Sequence, residues 1–292
     1  QDTLREPDAL VRRLRDFDAL VVLRERTPLP ASVLARLPRL RLVCSAGAFP
    51  GVVDLDACGA LGIAAAQGAG TGAPTAELCW ALVLASRRQL LAEAQALRAG
   101  RWQGHLGQGL QGQVLGIWGY GRVGRQVARY GQAFGMRVRV WGSERARRQA
   151  VEDGCEVAAS REALFADADV LSLHLRLVPE TRGAVALADL LRMKPGALLV
   201  NTSRAELIAE GALVQALRQG RPGFAAIDVF EDEPMVDTGH PLLALPNVLA
   251  TPHIGFVERD NYEAYYRAAF DHLRRFEAGE TAGFLCHPQA AS

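Results

Sequence analysis

The sequence predicts an α/β fold in which two domains are each built on a doubly wound parallel sheet. Three observations support this prediction. Short apolar runs of strand type alternate with helix-like segments along most of the 292 residues. Residues 114–141 form one uninterrupted strand, glycine turn, helix and strand, and a glycine-rich segment at 68–75 separates the two parts of the alternation. Because parallel strands are joined by helical crossovers, such alternation favours parallel sheets.

Apolar periodicity gives the order of the predicted elements. The predicted helices lie at 8–15, 30–37, from 54 onward, 76–97, 187–193, 212–219 and 261–278. The predicted strands lie at 19–23, 40–44, 63–66, 114–118, 138–141, 170–175, 197–201, 225–229 and 248–251. The chain opens in a helix, whereas a doubly wound domain usually begins with a strand. We therefore expect the natural protein to have N-terminal residues, including a strand, that this sequence lacks.

Composition limits the partners and the compartment. Lys and Arg total 33 against 32 Asp and Glu, a formal net charge of +1 without a long basic block. Neither a nucleic acid nor an anionic membrane surface is therefore expected as a partner. The chain has no apolar run that could span a bilayer and no signal-peptide core at its start, so a cytoplasmic protein is expected. The five cysteines are scattered singly, which predicts buried free thiols and no metal site.

Three glycines lie at the turn of the 114–141 pattern. Gly119, Gly121 and Gly124 form G-x-G-x-x-G between a strand and a helix. In this pattern the first glycine permits a tight turn, the second lets backbone approach a pyrophosphate, and the third allows close packing of the helix. The helix N-terminus then presents N–H groups to phosphates. The motif is weak alone, but its context favours a dinucleotide site over an ordinary glycine turn.

Polar side chains follow three later predicted strands. Arg204 follows the first of these strands, and His253 follows the third. Several acidic residues, including Asp228 and Glu233, follow the second. Because the carboxyl ends of parallel strands meet at one edge of a sheet, these side chains are expected to converge. Each alone could be structural. Together they suit an acid/base histidine with an orienting carboxylate and an arginine that binds an anion.

Four sequence blocks, taken together, resemble the D-2-hydroxyacid dehydrogenase family, which includes phosphoglycerate dehydrogenases and glyoxylate/hydroxypyruvate reductases. The blocks are GYGRVG at 119–124, NTSRA at 201–205, DVFEDEP at 228–234 and TPHIG at 251–255, in the family's order and spacing. The resemblance covers essentially the whole chain. It implies a Rossmann cofactor domain at 76–257, inserted into a flavodoxin-like substrate domain made of residues 1–75 and 258–292.

The resemblance also implies roles for individual residues. Arg204 would bind the substrate carboxylate and polarise the keto oxygen, His253 would exchange the proton, and Glu233 would keep His253 protonated for reduction. Asp228 would face the nicotinamide carboxamide. The other residues that would bind the cofactor are Thr75, Gly119, Tyr120, Gly121, Arg122, Val123, Gly124, Ser143, Arg145 and Thr202. Those that would bind the substrate are Ser45, Ala46, Gly47, Arg204 and His253.

The function implied by these residues is an NAD(P)-dependent oxidoreductase that interconverts a small 2-keto acid and a D-2-hydroxy acid by hydride transfer. An alternative is a nucleotide-sensing, corepressor-like interaction protein on the same fold, as in one branch of the family. We also expect a homodimer formed through the cofactor domain. That expectation rests on the apolar helix at 76–97, on the Gly- and Gln-rich arm at 100–113 and on the habit of the family.

The end of the second strand of the dinucleotide unit favours NADP(H) over NAD(H). An NAD-preferring fingerprint has an Asp or Glu about 20 residues beyond the glycines, where it binds the ribose 2′-hydroxyl. Here that position holds Trp141, Gly142 and Ser143, and Arg145 and two further arginines follow. Ser143 and the arginines suit a 2′-phosphate. The alternative is that Glu144 turns inward and binds the ribose hydroxyls of NAD(H).

Overall fold

The computed structural model describes residues 4, 6–23, 27–47, 51–68, 70–235 and 237–286. The chain divides into two compact units. The first unit is Gln1–Thr71 with Glu258–Ser292, and the second unit is Gly72–Val257. The first junction therefore lies at Thr71 rather than at residue 75, because the helix that opens the second unit already begins at Ala73.

Helices and strands alternate through both units. The helices are α1 (Pro7–Leu14), α2 (Ala31–Leu34), α3 (Leu55–Ala60), α4 (Ala73–Arg87), α5 (Leu90–Arg98), α6 (Arg122–Ala133), α7 (Glu144–Glu152), α8 (Arg161–Asp167), α9 (Leu187–Leu190), α10 (Ala212–Arg218) and α11 (Arg259–Glu277). The strands are β1 (Ala19–Val22), β2 (Leu42–Ser45), β3 (Ala64–Gln67), β4 (Val114–Trp118), β5 (Arg137–Trp141), β6 (Glu156–Val157), β7 (Val170–Leu173), β8 (Leu198–Asn201), β9 (Phe224–Ile227) and β10 (Val248–Ala250). Within the described ranges, no helix combines the length and apolar character needed to cross a membrane.

The first unit contains a parallel sheet whose described strands have the order β1-β2-β3. Side chains alternate between the two faces of a strand. Val43 of β2 packs with apolar side chains of α1, α2 and α3, whereas its neighbours Leu42 and Cys44 pack with Ala269 of α11. Both faces of this sheet are therefore covered, as in a doubly wound domain.

The second unit contains a seven-stranded parallel sheet in the order β10-β9-β8-β7-β4-β5-β6. Neighbouring residues again enter different cores, since Leu171 and Leu173 pack in one cluster and Val170 in the other. The strand order reverses between β4 and β7, because β5 and β6 extend the sheet on one side and β8 to β10 on the other. Open α/β sheets bind ligands at such a reversal, beyond the carboxyl ends of the strands.

The single helix predicted at 76–97 is wrong, because two helices lie there. Gln89 has a left-handed φ of +54°, and its N–H bonds the Ser86 carbonyl oxygen at 3.2 Å. This turn ends α4, and α5 begins at Leu90. Leu90 and Leu91 both face solvent. Apolar periodicity continues through the turn, so it did not reveal a change in direction that depends on one backbone angle.

The five cysteines are free thiols, as their spacing predicted. Four are buried, and Cys286 is partly exposed. Burial raises the pKa of Cys44 to about 11, so this thiol stays protonated and behaves as a small apolar side chain. In the part of the chain that the structure describes, no group of three or more His, Cys, Asp or Glu side chains could hold a metal ion.

Candidate active site

The glycine turn lies at the carboxyl end of β4, where the strand order reverses. Gly119 has a φ of +99°, and a Cβ atom there would lie 2.5 Å from the carbonyl oxygen of His174. A Cβ on Gly124 would lie 2.3 Å from the Gly119 carbonyl oxygen, so only glycine lets α6 approach the turn this closely. A Cβ on Gly121, in contrast, would meet nothing within 4 Å. The backbone at Gly121 is therefore open to a ligand.

The side chain of Tyr120 turns away from this open space. It is 6% exposed, its hydroxyl donates to the Asp153 carboxylate at 3.1 Å, and Cys155 Sγ lies 3.4 Å from the same hydroxyl. Burial, reinforced by Cys155 and Asp153, raises the pKa of Tyr120, which keeps the hydroxyl protonated as a donor. Arg125 pairs with Asp153 at 2.9 Å. The Tyr120 side chain thus anchors the turn from inside and leaves only its backbone for a ligand.

The start of α4 contacts the turn and the histidine loop. A Cβ on Gly72 would lie 3.2 Å from Arg122 Cδ and 3.2 Å from Val123 Cγ2, so both side chains lie against the start of α4. Thr75, within the first turn of α4, donates its hydroxyl to the carbonyl oxygen of Gly255 at 3.0 Å. These residues therefore connect α4 to the two loops in which the sequence predicted ligand contacts.

The loop after β5 begins α7 with a capping serine. Ser143 is the N-cap residue, and its Oγ accepts the N–H of Ala146 at 3.3 Å. Glu144 pairs with Arg148 at 3.1 Å on the solvent-exposed face of the helix. The Glu144 carboxylate therefore points towards solvent and Arg148. An exposed pair at this spacing contributes only about 0.3–0.5 kcal/mol.

The two other arginines of α7 differ in their contacts. The guanidinium of Arg147 lies over the ring of Trp141, 4.9 Å from its centroid. Arg145 is exposed, and the described residues give it no ion pair. Of the three predicted cations, Arg145 is therefore the one whose charge has no partner within the described ranges.

Two buried polar atoms on one side of the glycine turn are without a hydrogen-bond partner among the described residues. They are His174 Nδ1, after β7, and Thr202 Oγ1, which follows β8 one strand farther away and lies near the Cys79 thiol. The other ring nitrogen of His174 lies 2.8 Å from Ser172 Oγ, which lies 3.3 Å from Cys79 Sγ. Buried polar atoms are rarely left unpaired, so His174 Nδ1, next to the glycine turn, fits a site for a polar ligand. Sequence analysis did not single out His174, whose one local signal is its position directly after a strand.

Arg204, Glu233 and His253 are brought together because they follow the adjacent strands β8, β9 and β10. Nδ1 of His253 is hydrogen-bonded to the Glu233 carboxylate, which also accepts the Phe230 N–H at 2.9 Å. Burial opposes the charge on Glu233. The bonds from His253 and Phe230, with the charges of His253 and Arg204, outweigh burial and hold the pKa of Glu233 below its usual value. Glu233 is therefore ionised at neutral pH.

Asp228 holds the loop that carries His253. The Asp228 side chain is fully buried and accepts the Thr251 hydroxyl at 2.6 Å, the Ile254 N–H at 2.9 Å and the Gly255 N–H at 2.8 Å. Between these donors, His253 has a φ of +51°, a left-handed conformation that is uncommon outside glycine. In the structure its two oxygens bind the loop, and it supports His253 through the backbone. That Asp228 also faces the nicotinamide carboxamide, as the resemblance implies, stays a prediction.

In the first unit, the predicted substrate turn lies at the carboxyl end of β2. Ser45 and Ala46 are fully buried, and the Ala46 N–H donates to the Val22 carbonyl oxygen at 3.0 Å. A Cβ on Gly68 would lie 2.6 Å from the Ala46 carbonyl oxygen, so the turns after β2 and β3 pack backbone against backbone. The Gly47 N–H donates to no group among the described residues. Gly47 therefore offers the available backbone donor, whereas Ala46 does not.

The second unit and the whole chain are similar to known oxidoreductases. A family model described as D-isomer specific 2-hydroxyacid dehydrogenase, NAD binding domain, matches residues 80–255. The second unit is therefore an NAD-binding Rossmann domain, and the predicted α/β fold is confirmed. The chain belongs to the D-isomer-specific 2-hydroxyacid dehydrogenase family of oxidoreductases, as its four sequence blocks predicted.

Several relatives cover nearly the whole chain. It is 37% identical to a glyoxylate reductase of Aeropyrum pernix, over 94% of this chain and 84% of that protein. It is also 37% identical to 4-methyl-2-oxopentanoate reductase A of Aspergillus oryzae, over 88% of this chain and 80% of that protein. A crystal structure of a phosphoglycerate oxidoreductase of Vibrio cholerae is 46% identical, with a TM-score of 0.91 over 96% of this chain and 90% of that one. These relatives carry different substrate names.

The buried His174 makes stability depend on pH on the acid side. Burial lowers the pKa of His174 from 6.5 to about 4. Between these values the unfolded chain takes up a proton that the folded chain does not, so stability falls as the pH falls from about 6.5 towards 4. We expect His174→Asn to remove up to about 1.36 kcal/mol per pH unit from the acid slope of the unfolding free energy, measured by urea unfolding.

His105→Asn is the matched control, because His105 is exposed and pairs with Glu93 at the surface. The control should leave the slope above about pH 5 close to that of the wild type, because the Glu93 carboxylate that His105 pairs with titrates only below that range. If His174→Asn and the wild type lose stability in parallel below pH 6.5, then His174 is not the group responsible.

Proposed function

We propose that this oxidoreductase reduces a 2-keto acid to a D-2-hydroxy acid, with His253 as the proton donor. In the reverse direction it would oxidise the D-2-hydroxy acid. The observation that carries the proposal is the hydrogen-bonded pair of His253 and Glu233, which lies on adjacent strand ends with Arg204. An ionised Glu233 accepts the Nδ1 hydrogen of His253 and so fixes Nδ1 as a donor. The proton that is exchanged with substrate is then the one on Nε2.

The chemistry of keto reduction requires these groups. Negative charge develops on the keto oxygen during reduction, and that charge needs a proton donor and a fixed positive charge nearby. His253 would protonate the oxygen, and Arg204 would bind the carboxylate and polarise the keto group. The guanidinium is planar and presents two parallel donors, which matches a carboxylate. In oxidation His253 would accept the hydroxyl proton, so the same pair serves both directions.

The second unit fits a bound nicotinamide dinucleotide. The open backbone at Gly121, with α6 starting at Arg122, would receive the pyrophosphate. His174 Nδ1 and Thr202 Oγ1 provide buried polar atoms at the ends of β7 and β8, on one side of the glycine turn. When bound, the cofactor would supply the hydride. In this assignment Asp228 holds the histidine loop and would face the nicotinamide carboxamide.

The proposed substrates are 2-keto acids, which all have a carboxylate next to a keto group and differ in their side groups. Two relatives are named for reduction of glyoxylate and of 4-methyl-2-oxopentanoate, whose side groups differ greatly. Arg204, Glu233 and His253 would act on the shared part of such molecules. Glyoxylate and 4-methyl-2-oxopentanoate are therefore the first substrates to assay, with NADPH and NADH.

Replacement of His253 by asparagine tests the acid/base assignment. We expect His253→Asn to lower kcat by about 10²- to 10⁴-fold, the usual contribution of general acid catalysis, while the KM for the cofactor changes little. Turnover is measured by oxidation of NADPH or NADH with glyoxylate. His240→Asn, on the neighbouring loop, is the control and should retain near-normal turnover. A His253→Asn enzyme with near-normal kcat would remove His253 from the chemistry.

We further propose a preference for NADP(H), which would use the loop after β5. This proposal is supported by the lack of an acid at Trp141, Gly142 or Ser143, by the exposed pair of Glu144 with a neighbouring arginine, and by the exposed Arg145. A ribose 2′-phosphate needs cations and hydrogen-bond donors, which Arg145 and the Ser143 hydroxyl would provide. Glu144 would stay at the surface.

Kinetics with both cofactors test this preference. We expect kcat/KM to be at least about tenfold higher with NADPH than with NADH at low salt, and the advantage to shrink as salt screens the exposed arginine. Arg145→Ala should lose most of the advantage. Arg148→Ala, which removes the arginine paired with Glu144, should lose less. A preference of the wild type for NADH would instead indicate that Glu144 binds the ribose.

We also propose a homodimer formed through α5 and the arm at 100–113. Leu91 and Leu97 of α5 are exposed, and Trp102 and Leu106 of the arm are 77% and 98% exposed. Clustered exposed apolar side chains of this kind mark interaction surfaces. A second copy of the chain would cover them, in keeping with the expectation from the sequence.

Sedimentation velocity tests the dimer. The wild type is expected to sediment as a dimer at micromolar concentration, and Leu106→Glu should shift it towards monomer, because the carboxylate would be buried at the interface. Val151→Glu, at a 62% exposed position on α7, is the matched control and should remain dimeric. Equal dissociation of both variants, or a monomeric wild type, would contradict the proposed surface.

A further inference from the structure

His174 ends a chain of polar side chains that is buried inside the second unit. Ser172 Oγ lies 2.8 Å from Nε2 of His174 and 3.3 Å from Sγ of Cys79. Cys79 and Ser172 are both fully buried, so bulk water does not compete for their hydrogens. Ser172 and His174 extend from the same face of β7, because side chains alternate along a strand. The chain therefore connects α4, which contains Cys79, to the strand end beside the glycine turn.

The chain of hydrogen bonds can run in two directions. Burial lowers the pKa of His174 to about 4, so at neutral pH only one ring nitrogen carries a hydrogen. Burial raises the pKa of Cys79 to about 11, so the thiol keeps its hydrogen. In the first direction, the thiol donates to Ser172 and the Ser172 hydroxyl donates to Nε2, which leaves the ring hydrogen on Nδ1. In the second direction, Nε2 donates to Ser172 and Ser172 donates to the sulfur.

The first direction satisfies more of the buried hydrogens. Nδ1 of His174 has no partner among the described residues in either case. In the second direction the thiol hydrogen of Cys79 would also lack an acceptor, because Thr202 Oγ1, which lies near the thiol, makes no hydrogen bond with it. Sulfur is in addition a weak acceptor for the Ser172 hydroxyl, whereas an unprotonated ring nitrogen is a good one. Since a buried hydrogen without an acceptor costs free energy, the first direction is favoured.

We propose that Cys79 and Ser172 are positioning residues, which keep the hydrogen of His174 on Nδ1 so that this atom donates to a phosphate oxygen of the bound dinucleotide. This inference rests on the proposed function and adds two residues outside the four sequence blocks. His174 is partly exposed as a residue, and its backbone N–H donates to the Trp118 carbonyl oxygen at 2.8 Å. That bond fixes His174 next to Gly119, the first glycine of the turn.

A phosphate is the acceptor that suits a donor at this position. Phosphate oxygens accept hydrogen bonds, and their charge makes each bond stronger. The glycine turn beside His174 would receive the pyrophosphate through the open backbone at Gly121 and the start of α6. With its hydrogen on Nε2 instead, His174 would turn a lone pair towards the phosphates. The tautomer of His174 therefore decides whether this side chain strengthens or weakens binding of the dinucleotide.

Nitrogen NMR tests the tautomer in the protein without ligand. The chain has six histidines, and the signals of His174 are those that disappear in His174→Asn. In a neutral ring the two nitrogens have widely different shifts, and their couplings to the ring protons distinguish Nδ1 from Nε2. We expect the hydrogen on Nδ1 in the wild type and in Cys79→Ser, which keeps a donor at that position. Ser172→Ala should move the hydrogen to Nε2. A wild type with the hydrogen on Nε2 overturns the proposal.

Binding of ADP-ribose and of its 2′-phosphate derivative tests the contact with phosphate. These probes contain the pyrophosphate and lack the nicotinamide, and their binding is measured by calorimetry. We expect Kd to rise about tenfold in Ser172→Ala, as for the loss of a hydrogen bond to a charged group, and to stay within about twofold of the wild type in Cys79→Ser. Cys58→Ala, which removes a fully buried thiol in the first unit, is the control and should change neither Kd nor the tautomer.

Cys79→Ala gives an independent comparison, because it removes the thiol donor and keeps Ser172. It should show a mixture of the two tautomers and a Kd between those of the wild type and Ser172→Ala. A shifted tautomer with an unchanged Kd overturns the proposal, and so does a weaker Kd with an unchanged tautomer. A wild type that binds ADP-ribose but reduces no keto acid would overturn the proposed function, and these comparisons would still decide the role of Ser172.

Discussion

The hydrogen bonds of Asp228 are the constraint on which the candidate active site depends. Its fully buried carboxylate accepts three bonds from the 251–255 loop. Burial raises the pKa of Asp228, and the bonds from Thr251, Ile254 and Gly255 oppose that rise. The left-handed backbone of His253 is energetically unfavourable, and it persists because the loop is bonded on both sides of it. Asp228 thus sets the backbone from which the imidazole extends, and Glu233 holds the ring itself through Nδ1.

A parallel sheet explains why this arrangement is compact. The carboxyl ends of β8, β9 and β10 are neighbours, so single residues after each strand meet although about 25 positions separate them along the chain. Glu233 is partly buried between Arg204 and His253, and the positive charges and hydrogen bonds outweigh the cost of burial. The result is an ionised carboxylate that holds a histidine in one tautomer. Such a pair is the feature on which the proposed role of His253 in proton exchange rests.

The two ends of the glycine turn are supported in different ways. Inside, Tyr120 and Arg125 both bond Asp153, so the turn is fixed to the sheet edge that lies beyond β5. Towards the reversal in strand order, His174 and Thr202 present buried atoms that lack partners among the described residues. A satisfied polar network stabilises the fold, whereas an unsatisfied one costs free energy. Tyr120 and Arg125 therefore hold the scaffold, whereas His174 has a polar atom that a ligand could pair.

The sequence by itself determined the order of most strands and helices, the glycine turn, and the placement of Arg204, Glu233 and His253 at strand ends. These features depend on local periodicity and on residue type, which are visible along the chain. Tertiary structure decided where each side chain points. The inward turn of Tyr120, the bonds of Asp228 to the histidine loop and the contact between Cys79 and Ser172 all involve partners distant in sequence. Periodicity shows which residues reach the edge of a sheet, but only packing between distant segments determines which of their polar groups are left for a ligand.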